Sequence, residues 1–105
     1  MTTILEEAKK AVYGDRQADY GTVTENFTAI ANLWSIVLKT PVTPEQVGLC
    51  MVQVKVARQM FKPKRDNLVD GAGYFATIEK MDIEKIGADK KLKAKSKTSS
   101  NGRRK

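Results

Sequence analysis

Three threonines in this chain stand three positions before a glutamate or glutamine, each at the start of apolar residues with helical spacing. In such a capping box the two side chains satisfy backbone amides that the first helical turn leaves free. The boxes are Thr3 with Glu6, Thr22 with Glu25, and Thr43 with Gln46. The third box contains Pro44 at the first helical position, where proline is favoured. The sequence therefore predicts at least three helices.

The predicted helices also have stop signals. Gly14 ends the first, Pro41 the second, and Pro63 a third helix of about residues 44–61. A fourth apolar pattern of helical period follows, with Asp66 or Asn67 as its predicted cap. No segment alternates with the period of a strand. We predict an all-α fold, a compact bundle of about four helices over residues 1–87.

The predicted third helix is apolar around most of its circumference. A helix of that kind is normally surrounded by others, so we expect it at the centre of the bundle. Cys50 lies in its apolar run and is expected to pack as a small apolar side chain. Because about 85 residues build only a modest core, we also expect a homo-oligomer.

The net charge of +7 comes from the C-terminal end of the chain. Residues 1–88 contain eleven acidic and eleven basic side chains. Residues 88–105 have no apolar periodicity, and we predict a disordered basic tail with unspecific affinity for nucleic acid or an acidic protein surface. Its basic residues are Lys90, Lys91, Lys93, Lys95, Lys97, Arg103, Arg104 and Lys105.

Composition excludes several classes of protein. The chain contains no histidine, which removes Ser-His and Cys-His catalysis and every zinc site that uses imidazole. No apolar stretch approaches the roughly 20 residues of a membrane helix, and the N-terminus lacks the pattern of a signal peptide. We expect a protein without membrane contact in the cytoplasm.

Polar residues exceed what packing requires in three places. The first is residues 16–21 with Glu25, just before a helix N-terminus, where anions are attracted. The second is Lys55 with Arg58, on one face of the third helix. In the third place Asp66, Asp70 and Tyr74 are spaced four apart on the fourth helix.

Each place also has a purely structural interpretation. The first can be a solvated loop with capping residues. Asp70 can form an ion pair with Lys55 or Arg58, while Gly71 and Gly73 bring helices close together. The alternating charges of residues 79–85 are typical of a solvated helix face.

Several short motifs follow each other in a specific order and spacing. They are Arg16-x-x-Asp19-Tyr20-Gly21, Glu25-Asn26-Phe27, Leu33-Trp34, Lys55-x-Ala57-Arg58 and Asp66-Asn67-x-Val69-Asp70-x-Ala72-Gly73-Tyr74. In this order they resemble a small uncharacterised helical family of bacteriophages and prophages, and a phage-encoded protein would lie in the host cytoplasm. That family is in turn distantly similar to nucleotide-modification-associated domains and to MazG-like pyrophosphohydrolases, which act on Mg²⁺-bound nucleoside triphosphates. The E-E-x-x-E pattern of MazG-like enzymes is missing here.

The resemblance implies a protein that binds a nucleotide or nucleotide-derived signal in a polar cleft, and it leaves open whether the ligand is hydrolysed with Mg²⁺ or only sequestered. The alternative is a non-enzymatic interaction protein that contacts a host or phage protein, or nucleic acid, through an exposed helix face or by homodimerisation. Leu33 with Trp34, or Met51 with Met60, are candidates for such a face. The predicted nucleotide contacts are Arg16, Tyr20, Lys55, Arg58 and Tyr74, and the predicted Mg²⁺ ligands are Glu25, Asp66 and Asp70.

Overall fold

The three predicted capping boxes all form. The threonine hydroxyls accept hydrogen bonds of 3.1, 3.0 and 3.1 Å from the amides three residues later. The computed structural model describes residues 1–14 and 21–100, with side chains as far as Lys91. These residues form four helices and no strand, so the predicted all-α bundle is confirmed. The helices are α1 (Ile4–Tyr13), α2 (Val23–Leu38), α3 (Pro44–Phe61) and α4 (Arg65–Ser100).

The predicted ends of the first three helices are confirmed within a few residues. Gly14 is the C-cap of α1. Lys39 closes α2 in the left-handed conformation, with φ 56°, two residues before Pro41. The predicted cap of the fourth helix is wrong, because α4 begins at Arg65, so that Asp66 and Asn67 lie inside its first turn.

The turn between α3 and α4 is fixed by Gln59. Its side-chain oxygen accepts hydrogen bonds from the Lys64 amide at 3.0 Å and from the Asn67 side chain at 3.1 Å. Gln59 therefore satisfies a donor just ahead of α4, as a helix cap would.

The central helix is α4, which packs against all three others. The prediction that α3 is surrounded by other helices is wrong within a single chain. Val47 and Val52 of α3 are buried, but Met60 and Phe61 are 81% and 90% exposed. Cys50 is exposed as well, contrary to the expected packing. A helix that is apolar on all sides is expected to be buried on all sides, but within one chain only one side of α3 packs against other helices.

The main core lies where α2, α3 and α4 meet. Its buried members are Val23, Phe27, Ala31, Val47 and Met81. Helices α3 and α4 approach each other closely at Gly48 of α3, where a Cβ atom would lie 2.7 Å from the Cγ1 atom of Ile78 on α4. Close packing at Gly71 and Gly73 was instead expected under the structural interpretation of that part of the fourth helix. Gly73 is in ordinary contact with Val12, whereas nothing lies within 4 Å of a Cβ atom at Gly71.

The charged stretch of residues 79–85 is not wholly a solvated face, so that prediction is wrong for two of its members. The Lys80 ammonium donates to the Val12 carbonyl oxygen at 2.9 Å and lies 4.9 Å from the centre of the Tyr13 ring. Lys80 thereby caps the C-terminus of α1, where a cation is favoured. Glu84 binds Thr24 at the start of α2.

The α4 backbone continues as a helix past the predicted boundary at residue 87, as far as Ser100. Alanine, leucine and lysine are good helix formers, which accounts for the continuation. A helix segment of this length is marginal in water without a packing partner. Disorder of the tail in solution therefore stays a prediction. Among the described residues, no helix is long and apolar enough to cross a membrane.

Candidate functional site

Lys55 and Asp70, two of the predicted site residues, form an ion pair between α3 and α4. The Lys55 ammonium lies 2.9 Å from the Oδ2 atom of Asp70. The Lys55 side chain is 13% exposed and that of Asp70 is 46% exposed. The pair is therefore enclosed on the lysine side and hydrated on the aspartate side. Of the two partners considered for Asp70, the structure selects Lys55.

Asp70 also lines a cavity of about 160 Å³ between α1, α2 and α4. The aromatic residues Phe27 and Tyr74 and the buried Thr77 contribute to its wall. The Thr77 hydroxyl donates to the Gly73 carbonyl oxygen at 2.8 Å, which leaves its oxygen as an acceptor. The cavity thus combines apolar ring faces with a carboxylate and a hydroxyl.

Tyr74 belongs partly to the core and partly to this cavity. Its ring centre lies 6.5 Å from that of Phe27, with the two planes tilted by 51°. This is the separation of a tilted aromatic pair, which fixes the tyrosine ring by packing. Tyr74 is therefore placed to form a wall of the cavity.

The three predicted Mg²⁺ ligands do not form one cluster. The Glu25 carboxylate accepts a hydrogen bond of 2.8 Å from the Thr22 amide and completes the capping box of α2. Asp66 is exposed in the first turn of α4, and Asp70 is paired with Lys55. Among the side chains that the structure describes, in residues 1–14 and 21–91, no three aspartate, glutamate or cysteine groups converge as a metal site would require.

The remaining predicted site residues are distributed differently. Arg58 is exposed on α3, and Lys90 and Lys91 are exposed on α4. Other predicted residues lie outside the described part of the chain, either entirely or in their side chains. These are Arg16, Tyr20, Arg103, Arg104 and Lys105 entirely, and Lys93, Lys95 and Lys97 in their side chains.

Two polar residues of α4 with specific contacts were not predicted from the sequence: Thr77, which lines the cavity, and Glu84, which binds Thr24 at the start of α2. A usable signal was present for both. Thr77, Met81 and Glu84 follow each other at helical spacing, which puts them near one face of α4. Thr77 and Met81 are buried and Glu84 is partly buried, so the polar members of this row were candidates for specific contacts.

A family model for a domain of unknown function, DUF6378, matches residues 3–82, which include α1, α2, α3 and all the cavity residues. The chain belongs to this family. Two curated phage proteins are similar to the DUF6378 chain. The Gene 55 protein of Mycobacterium phage L5 is 39% identical over 83 residues, 77% of this chain and 53% of that protein. The Gene 55 protein of Mycobacterium phage D29 is 35% identical over 85 residues, 80% of this chain and 56% of that protein.

These relatives confirm the resemblance of the DUF6378 chain to a small uncharacterised phage family. The more distant likeness to MazG-like enzymes stays a prediction. The chain spans about half the length of these two curated relatives. No solved structure matches the chain.

Proposed function

We propose that the DUF6378 chain binds a nucleotide or nucleotide-derived signal, with a planar ring of the ligand in the cavity between α1, α2 and α4. The observation that carries this proposal is the size and lining of the cavity. Its volume is about 160 Å³. An apolar cavity of about 150 Å³ holds one benzene ring, so the volume suits one small planar ring.

The lining suits a nucleobase better than a purely apolar ring. Phe27 and Tyr74 offer aromatic surfaces, and ring contacts of this kind contribute about 1–3 kcal/mol per base. The Asp70 carboxylate accepts hydrogen bonds, which matches the amino and ring N–H donors of a base. Lys55 already neutralises this carboxylate and fixes its position. In this proposal Lys55 is a positioning residue rather than a phosphate contact.

The phosphates of the ligand would lie outside the cavity. Arg58 is exposed on α3, and an arginine is suited to bidentate phosphate contacts. Arg16, in the connection between α1 and α2, is the other predicted phosphate contact, and Tyr20 a predicted stacking residue. A triphosphate ligand would bring Mg²⁺ with it, and Asp66 is the predicted carboxylate that remains exposed for it.

Calorimetry of the full chain tests the proposal, with a panel of nucleoside mono- and triphosphates and cyclic oligonucleotides, with and without Mg²⁺. The informative variant is Ala11→Leu, which extends a side chain of α1 into the cavity. The matched control is Ala29→Leu, since Ala29 is also exposed but lies on α2 outside this cavity. We expect binding that Ala11→Leu abolishes and Ala29→Leu preserves.

Two results would contradict the proposal. One is the absence of binding heat for every ligand of the panel. The other is equal affinity in the two leucine variants, which would place the ligand elsewhere. Chromatography of the same mixtures distinguishes hydrolysis from sequestration, because only hydrolysis yields a product.

A second candidate function, contact with a protein, is favoured by a different observation. Large apolar side chains are exposed on α3, with Met60 and Phe61 the most exposed. The protein partner that this face suits is a second copy of the chain.

A further inference from the structure

We propose that the chain forms a homodimer in which the outer faces of two α3 helices pack antiparallel across a two-fold axis. The outer face of α3 comprises its exposed apolar and amide side chains. They are Leu49, Cys50, Gln53, Val56, Ala57, Met60 and Phe61.

The contrast between the two sides of α3 is the first observation. On the inner side, Val47 and Val52 are 1% and 6% exposed. On the outer side, Leu49 and Val56 are 45% and 46% exposed, although they are as apolar as the inner residues. A helix apolar on all sides is found where other helices cover it. One chain supplies this cover on the inner side only.

Apolar grooves flank the outer face on both sides. Between α3 and α4 lies a cavity of about 280 Å³, whose wall includes Met60, Leu68 and Phe75. Between α2 and α3 lies one of about 400 Å³, whose wall includes Trp34 and Leu49. A ridge between two grooves is the surface that helix packing uses, because the ridge of one helix enters the groove beside the other.

The exposed apolar area is close to what a dimer requires. Six residues form the ridge and its adjoining edge on α4. At about 150–200 Å² for a full side chain of these types, their exposed fractions amount to roughly 550–730 Å². The largest apolar patch of a typical monomer is about 300–600 Å², and a standard interface buries about 800 Å² per partner. The six are Leu49 45%, Val56 46%, Met60 81%, Phe61 90%, Leu68 44% and Phe75 57%.

Charge complementarity selects a second copy and an antiparallel arrangement. Glu45 is exposed in the first turn of α3, and Lys62 is exposed at its C-cap. Antiparallel packing places the Glu45 end of each helix beside the Lys62 end of its partner, whereas parallel packing brings like charges together. The helix dipoles favour the same arrangement. Between these ends the outer face is uncharged and therefore compatible with itself, as a two-fold interface must be.

The mass of the full chain in solution is the first measurement, by sedimentation over a range of concentrations. We expect twice the chain mass of 11.7 kDa. Met60→Glu places a charge on the interface and should shift the dissociation constant at least tenfold towards monomer. Leu5→Glu is the matched control, because Leu5 is 73% exposed on α1 and the control should leave the dimer intact.

Both substitutions are at exposed side chains, so circular dichroism should show an unchanged helical fold in each. A monomeric wild-type protein at high concentration would overturn the proposal. Equal dissociation constants for Met60→Glu and Leu5→Glu would overturn it as well.

The arrangement is tested by disulfide cross-linking. Gln53 lies near the midpoint of α3, so an antiparallel pair brings the two copies of residue 53 together. With helix axes about 8–10 Å apart, facing Cα atoms are within the distance of a disulfide. In a Cys50→Ser background, Gln53→Cys should form a covalent dimer rapidly on mild oxidation. Asn32→Cys, exposed on α2, is the control in that background. Equal rates for the two cysteines would overturn the antiparallel α3 interface.

Discussion

Glu84 of α4 caps the N-terminus of α2 through Thr24, a residue sixty positions earlier in the chain. One carboxylate oxygen accepts from the Thr24 amide at 2.9 Å and from the Thr24 hydroxyl at 2.6 Å. A charged acceptor at a helix N-terminus satisfies a free amide and interacts favourably with the helix dipole. Glu84 thus links the central helix to the start of α2.

This link predicts a specific loss of stability. Glu84→Ala removes the acceptor from two partly buried donors and should lower the free energy of unfolding by about 1–2 kcal/mol. Glu79→Ala is the matched control, because Glu79 is exposed on the same helix and its removal should change stability by less than about 0.5 kcal/mol. Urea denaturation measures both, and equal losses would contradict the capping role.

Replacing each of two helical glycines, Gly48 and Gly71, by alanine should change the stability of the fold in opposite directions. A Cβ atom at Gly48 would lie 2.7 Å from Ile78, so Gly48→Ala should destabilise the fold by about 1–3 kcal/mol despite the better helix propensity of alanine. Gly71 has open space around that position, and Gly71→Ala should stabilise by about 0.5–1 kcal/mol. Thermal unfolding gives both signs, and a stabilising Gly48→Ala would show that α3 and α4 lie further apart.

Removing Asp70 from the Lys55–Asp70 ion pair should destabilise the fold more than removing Lys55. Asp70→Asn leaves a mostly buried ammonium without its counter-charge and should cost about 1–2 kcal/mol. Lys55→Met keeps the apolar contacts of the stem and leaves Asp70 half hydrated, so its cost should be below about 1 kcal/mol. In the double variant the costs should not add. Additive costs in denaturant titrations would show that the two side chains do not interact in solution.

The start of α1 should become less stable in acid. Hydrogen bonds from Thr3 lower the pKa of Glu6 from its ordinary value of 4.5, and the Thr2 hydroxyl, with Arg65 as a weaker cause, lowers that of Glu7. A carboxylate with a lowered pKa in the folded state stabilises the fold above its unfolded pKa. This contribution is lost as the pH falls through the folded pKa.

Carboxyl carbon NMR measures these values directly. We expect both titration midpoints below 4.5, and Glu6→Gln should remove the part of the acid sensitivity that comes from the capping box. A Glu6 midpoint at or above 4.5 would mean that the capping box of α1 is not formed in solution.

Features that depend on local interactions were predictable from the sequence, whereas those that depend on contacts between distant residues were not. The boxes at Thr3, Thr22 and Thr43 were predictable because each is complete within four residues. The contact between Glu84 and Thr24 was not, since helical spacing can place Glu84 near the buried face of α4 but does not reveal a partner sixty residues away. Gly48 was missed for a similar reason, because its close contact with Ile78 depends on how two helices cross.

The position of α3 shows a different limit. Periodicity identified its apolar faces correctly, but it does not say whether the same chain covers them. The predicted site was likewise only partly recoverable. The spacing of Asp70 and Tyr74 put them on one face of α4, and the structure shows both at one cavity. The predicted carboxylate cluster does not form, because Glu25 belongs to the capping box of α2. The Thr22-x-x-Glu25 pattern in the sequence already indicated this capping role.

The basic end of the chain gives the last prediction, which concerns nucleic acid. Residues 1–88 have equal numbers of acidic and basic side chains. The tail has eight basic residues and no aromatic side chain on which a base could stack. Binding to random-sequence duplex DNA should therefore be weak and steeply salt-dependent, because it rests on phosphate neutralisation alone. A truncation after Ala88 should lose this affinity at low salt, while a full-length variant with Arg58 and Lys64 changed to glutamine should retain it. Fluorescence anisotropy at several salt concentrations compares the three proteins. If the truncated protein keeps the affinity and the salt slope, the contact lies in the turn between α3 and α4 instead, where Lys62, Lys64 and Arg65 are exposed.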